Sequence, residues 1–129
     1  MLAKYAIGNI VYYVSDIDRT EAFYRDTLGL AVDRVPGDGP EHGGDFLIAH
    51  TASNIDLIFF ANPEARPGQS PIIVFTLADG GVDAIVSGLA KKGVTIVTPL
   101  SAAPGGWSAD LADPDGHVFS VYQSEDIPR

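Results

Sequence analysis

The strand and helix signals of this chain run in one order and then run in that order again, and the repeat limits the folds open to it. In the first copy a strand signal over residues 7–14 precedes a helical stretch that starts near Asp18 and ends at about Leu28. Three more strand signals follow at 31–35, 46–50 and 55–60. In the second copy a strand signal over 72–77 precedes a helix that Gly93 ends, then strands at 94–97, 107–111 and 118–122. Asp16 matches Asp79 and Gly29 matches Gly93, a constant shift to within one residue. One β-α-β-β-β unit leaves a sheet face bare. Two such units bury their helix-side faces and curl the opposite faces around a cavity. The expectation is one α+β domain, residues 1–129, with module one at about 5–62, a linker at about 62–70 and module two at about 71–124.

Local signals support the elements. Ile10, Tyr12 and Val14 share one face of the first strand and Asn9, Val11 and Tyr13 the other; both are largely apolar, so the strand is covered on both sides. Asp18 and Glu21 have capping-box spacing for a helix that buries Phe23, Tyr24 and Leu28. Gly29 stands where a helix end needs a left-handed residue. Val82, Ile85, Val86 and Leu89 make one face of the second helix. Asp113-Pro114-Asp115-Gly116 is a turn, since proline presets φ and glycine accepts a positive one. Loop 36–44, with Gly37, Gly39, Pro40, Gly43 and Gly44, is a flexible connection, and Pro63, Pro67 and Gly68 mark the linker.

Composition removes several function classes. The 129 residues carry a net charge of −9 and 46% hydrophobic residues, which favours a folded domain and disfavours nucleic acid or anionic lipid as partners. The absence of cysteine excludes disulfides, thiolate metal sites and a cysteine nucleophile. With no apolar run of membrane length and no signal-peptide core, a cytoplasmic location is expected. Ser15, Ser53, Ser87 and Ser101 lack a nucleophile-elbow context, and Asp79-Gly80-Gly81 lacks the Lys and Ser/Thr of a phosphate loop. Asp16 and Asp18 read as turn and cap residues rather than paired acids.

Four motifs then point one way. Val14-Ser15-Asp16 with Phe23-Tyr24-Arg25-Asp26-Thr27-Leu28-Gly29-Leu30 resembles the first-module signature of the vicinal oxygen chelate superfamily, which holds glyoxalases, bleomycin-resistance proteins and extradiol dioxygenases. Lys92-Gly93-Val94 with Thr98-Pro99, and Asp113-Pro114-Asp115-Gly116, resemble its second-module signature. The resemblance spans about Tyr5 to Gln123. It implies an eight-stranded incomplete barrel around a cavity, in a homodimer.

It also implies a test. Enzymes of that family hold a divalent metal with His, Glu or Gln at four strand positions. Those positions here are Asn9, Ile72, Ile58 (Asp56 if the register slips) and Ser120. A metal needs about three protein donors, and this set does not supply them. His42, His50 and His117 fall on none of the four positions and read as solvated or hydrogen-bonded imidazoles. No cofactor is expected.

Alternation gives the expected lining of the cavity: Asn9, Val11 and Tyr13, Phe46, Ile58 and Phe60, Ile72 and Val74 with Thr76, and Ser120 and Tyr122 with Val118. Trp107, the only Trp, follows Gly105-Gly106 and suits either a pocket rim or the core. Such a lining suits a ligand held by stacking and area with one or two hydrogen bonds. The expected function is metal-free binding and sequestration of a bulky, partly aromatic hydrophobic small molecule, as in resistance by binding. The alternative is a metal-dependent lyase, isomerase or dioxygenase of the same superfamily. The acidic balance would suit a cationic ligand, whereas the uncharged lining argues for a neutral planar one.

Overall fold

The computed structural model describes residues 1–37, 44–68 and 70–129, so His42 and most of the glycine-rich loop lie outside the described residues. The chain divides into two compact units, Met1–Arg66 and Pro67–Arg129. Each is a β-α-β-β-β module with one four-stranded sheet.

The first unit holds β1 (Asn9–Val14), α1 (Ile17–Ala22), β2 (Ala31–Val35), β3 (Phe46–His50) and β4 (Asp56–Ala61) in the sheet order β1-β4-β3-β2. β1 runs parallel to β4, and the other pairs are antiparallel. The helix packs on one face of this sheet, where Tyr12, Val14, Leu47, Leu57 and Phe59 are buried. Phe59 organises that core, stacked on Tyr12 at 5.4 Å between centroids and tilted against Tyr24 at 4.5 Å.

Two local expectations are corrected here. The N-cap of α1 is Asp16, not Asp18: the Asp16 carboxylate accepts from the Arg19 N–H at 3.1 Å. Asp18 and Glu21 instead pair with Arg34 of β2, at 2.7 and 3.0 Å, and Asp45 completes the group at 2.8 Å. Asp18, Asp45 and Glu21 hold the Arg34 guanidinium more firmly protonated, and Arg34 holds Asp45 below the usual carboxylate range. The α-helix also ends sooner than expected. Its continuation, Phe23–Thr27, is a wider turn in which Leu28 N–H donates to Phe23 O, five residues back. That widening buries Tyr24 but leaves Phe23 and Leu28 only half-buried. Gly29 then takes φ 77° as the stop.

The second unit holds β5 (Ile73–Thr76), α2 (Val82–Lys91), β6 (Thr95–Ala103), β7 (Gly106–Ala112) and β8 (Val118–Ser124), in the order β5-β8-β7-β6. β6 extends six residues beyond the expected end at Val97, running through Pro99 to Ala103. Proline is tolerated because β6 is an edge strand and its pairing with β7 shifts register on either side of Thr98. Ile85 of α2 is exposed, and Val82 is the helix residue that is fully buried.

One buried amide ties this unit together. Gly81, the N-cap of α2, offers no side chain. Gln123, fully buried, fills that role: its Oε1 accepts from Val82 N–H at 2.9 Å, and its Nε2 donates to Ile127 O at 2.7 Å. The segment after β8 therefore folds back on α2. It passes so close that a Cβ on Gly80 would meet Pro128 O at 2.3 Å. Arg129 ends it in an ion pair with Asp83 at 2.9 Å, which lowers the Asp83 pKa and raises that of Arg129. Among the described residues no helix is long and apolar enough to cross a membrane.

Candidate functional site

In each unit the helix covers one sheet face, and the other carries the side chains named from alternation. On the first sheet the register sets these in rows. Tyr13, Phe60 and Phe46 lie abreast, then Val11, Ile58 and Ile48, then Asn9, Asp56 and His50. The Phe46 and Phe60 rings are 5.2 Å apart. Tyr13 is 55% exposed, Val11 46% and Phe60 38%. Large apolar groups left this open are unusual on a sheet and mark a surface built to be covered.

The third row is polar, and of its members Asn9 alone was part of the expected lining. His50 Nε2 lies 2.8 Å from Asp33 of β2, and Nδ1 lies 3.1 Å from Asp56 of β4. A hydrogen bond to Asp33, and then one to Asp56, favours the imidazolium and raises the His50 pKa above its ordinary value. When the ring is protonated both nitrogens donate, and it has no lone pair for a metal and none with which to take a proton from a ligand. The period of β3 does place His50 on one face with Phe46 and Ile48. Its contact with Asp33 depends on the β2–β3 register, which the glycine-rich loop between them hides from the sequence.

On the second sheet Val74 pairs with Ser120 and Thr76 with Tyr122, and Ser120 and Tyr122 in turn pair with Asp110 and Ser108 of β7. Ile72 immediately precedes β5 and is exposed. Ser120 is buried, and its hydroxyl donates to Asp110. Tyr122 OH donates to Pro104 O at 3.1 Å. Asp110 is an open-face carboxylate that alternation along β7 could have supplied.

Trp107 stands apart from this set. It pairs with Gln123, so it occupies the helix-side face of its sheet, and the Arg129 guanidinium lies 3.9 Å from its ring centroid. Asn9, Val11, Tyr13, Phe46, Ile58 and Phe60 thus share the open face of the first sheet. Val74, Ser120 and Tyr122 share that of the second, with Ile72 leading into it.

The donor chemistry does not fit a divalent metal. Ile58 and Ile72 have no donor atom, Asn9 and Ser120 are poor ligands, and the Ser120 hydroxyl is already committed to Asp110. Among the described residues no group of three His, Asp or Glu side chains could hold a metal ion.

Comparison with known proteins agrees with the architecture. Solved structures with the same fold include TnmS3, an antibiotic binding protein from Streptomyces sp. CB03234, at TM-score 0.75 and 23% identity over 97% of this chain and 100% of that one. A glyoxalase family protein from Enterococcus faecalis matches at TM-score 0.76 and 19% identity over 95% and 99%. A glyoxalase/bleomycin resistance protein from Streptomyces sp. CB03234 matches at TM-score 0.68 and 24% identity over 92% and 100%. No curated protein matches the chain. The sequence model of the glyoxalase/bleomycin resistance protein/dioxygenase superfamily matches residues 6–121. With four signature motifs in order, two β-α-β-β-β units and that match over most of its length, the chain belongs to the glyoxalase/bleomycin resistance protein/dioxygenase superfamily.

Proposed function

We propose that this protein binds and sequesters a bulky, partly aromatic small molecule without a metal and without transforming it. The observation that carries the reading is the open face of the first sheet, where Tyr13, Phe60 and Val11 are exposed together and the family's ligand positions hold Asn9 and Ile58. Apolar surface covered by a ligand contributes about 25 cal/mol per Å², so stacking and area suffice for binding without an ion pair. The similarity in fold to an antibiotic binding protein supports this reading. A sequestering protein needs no general base, which accords with an imidazole engaged at both nitrogens. The working form is taken to be a cytoplasmic homodimer.

The test is a thermal-shift screen of planar natural-product antibiotics, followed by mass spectrometry of each hit after prolonged incubation. A ligand at a hundred times its Kd stabilises by about 2.7 kcal/mol and is recovered with its mass unchanged. A hit recovered as a product would refute sequestration, and a screen with no hit would refute small-molecule binding.

A further inference from the structure

The segment after β8, residues 125–129, lies across the first turn of α2. Its seat is shaped for it. Gly80 takes φ 77°, and a Cβ there would meet Ile127 Cγ2 at 2.7 Å as well as Pro128 O. Gly81 N–H donates to Pro128 O at 3.1 Å. Arg129 closes the segment at its far end: its guanidinium bonds both Asp83 oxygens, at 2.9 and 3.0 Å, and covers the half-buried ring of Trp107. Yet little apolar area holds the segment down. Ile127 is half-buried, while Glu125, Asp126, Pro128 and Arg129 are exposed. Lifting it also strands no polar group. Gly81 is only half-buried, so its N–H can reach water, and Gln123 Nε2, on losing Ile127 O, keeps Ser124 O at 3.3 Å. Gln123 Oε1 stays on Val82 N–H, because Gln123 belongs to β8.

We propose that residues 125–129 form a clasp that opens and recloses while β7, β8 and α2 stay folded, with Arg129 as its catch and the turn at 124–126 as its hinge. In that turn Asp126 N–H and Ile127 N–H both come back to Ser124, one to its hydroxyl and one to its carbonyl. Glu125 N–H, bonded to Gly105 O at 3.0 Å, keeps the root of the clasp on the turn between β6 and β7. Segments with few buried apolar contacts open at free energies well below that of global unfolding. Opening uncovers the Trp107 ring, the Asp83 carboxylate and the Gly81 N–H. The open face of the sheet is not disturbed: Tyr122 OH keeps Pro104 O, and the Ser120 hydroxyl keeps Asp110. The clasp therefore stands or falls independently of small-molecule binding.

Amide hydrogen exchange followed by NMR on the full chain tests this, with emission from Trp107, the only Trp, as a second readout. In the wild type Gly81 is less protected than Val82, whose acceptor does not move, and less than Val121 in the central strand β8. Arg129→Ala removes an exposed ion pair and a cation–π contact. Each is worth roughly a threefold change in the opening equilibrium, so Gly81 exchange speeds up about tenfold. Val82 and Val121 do not change, which also shows that the variant is folded, and Trp107 emission shifts to the red as water reaches the ring. Arg129→Lys keeps the charge but not the paired bonds to Asp83, and falls between the two. High salt speeds Gly81 exchange in the wild type and has no such effect in Arg129→Ala, where no ion pair is left to screen. Equal protection of Gly81 and Val121 in the wild type would mean that the segment leaves only on global unfolding, and would overturn the inference. Gly81 exchange and Trp107 emission that stay unchanged in Arg129→Ala would overturn it as well.

Discussion

Replacing Gln123 by leucine removes the second unit's internal cap with little change in side-chain volume. Gln123 is fully buried, and so is Val82, whose N–H it accepts at 2.9 Å. Gly81 has no side chain to take over, and water cannot reach the orphaned donor. An unsatisfied buried N–H costs about 1–3 kcal/mol. Loss of the 2.7 Å bond to Ile127 O costs less, since Ile127 is only half-buried and its carbonyl can turn to solvent. The total is about 2–4 kcal/mol from a stability that is ordinarily about 5–15. In a chain of this length that lowers Tm by roughly 10 °C. Urea denaturation followed by circular dichroism measures the change, and hydrogen exchange at Val82 locates it. Gln123→Glu separates the two bonds. Its carboxylate can still accept from Val82 at a helix N-terminus, but it confronts the Ile127 carbonyl, so this variant is less stable at pH 8 than at pH 5. A Gln123→Leu protein within about 0.5 kcal/mol of wild type would refute the capping argument.

Other perturbations test other parts of the account. Tyr13→Ala removes a ring that is 55% exposed. About 100 Å² is lost to a ligand, so Kd for a neutral planar dye such as an alkyl naphthalimide weakens by roughly tenfold or more while folding stability stays within about 0.5 kcal/mol; titration and thermal melts check the pair. Gly106→Ala would place a Cβ 1.9 Å from the Gln123 carbonyl oxygen, backbone that cannot swing away, and costs at least about 3 kcal/mol in denaturant titration. Gly88→Ala, on α2 with open space around it, stabilises by up to about 1 kcal/mol. Titration of His50 by NMR gives a pKa above the ordinary 6.5, falling more in Asp33→Asn than in Asp56→Asn. Because the folded value is raised, the stabilisation from this cluster is fully present below about pH 6.5 and is lost as pH rises through the folded pKa.

Much of the module architecture was legible because each element carried its own local signal. The strands β2 and β3 have the expected bounds, since their apolar alternation stops abruptly at turn residues. Gly29 and Gly93 take the positive φ expected where the helices end. The misread elements are those where the decisive partner lies far along the chain. Asp18 looked like a cap because its true partner, Arg34, is on β2. β6 seemed to stop before Pro99, because tolerance of that proline depends on the strand's edge position. Trp107 followed a flexible Gly-Gly approach that suited a rim, but the β7–β8 register turns it toward Arg129. The acid–histidine group on the open face was hidden for the same reason: no local pattern joins residues 33, 50 and 56.

The central claim is binding without a metal, and one measurement addresses it directly. Protein purified without chelator is analysed for metal by mass spectrometry, and the same preparation is titrated with a neutral alkyl naphthalimide dye before and after EDTA treatment. The account predicts far less than one metal ion per chain and the same Kd in both titrations. Stoichiometric iron, manganese, nickel or zinc, with binding abolished by EDTA, would contradict it.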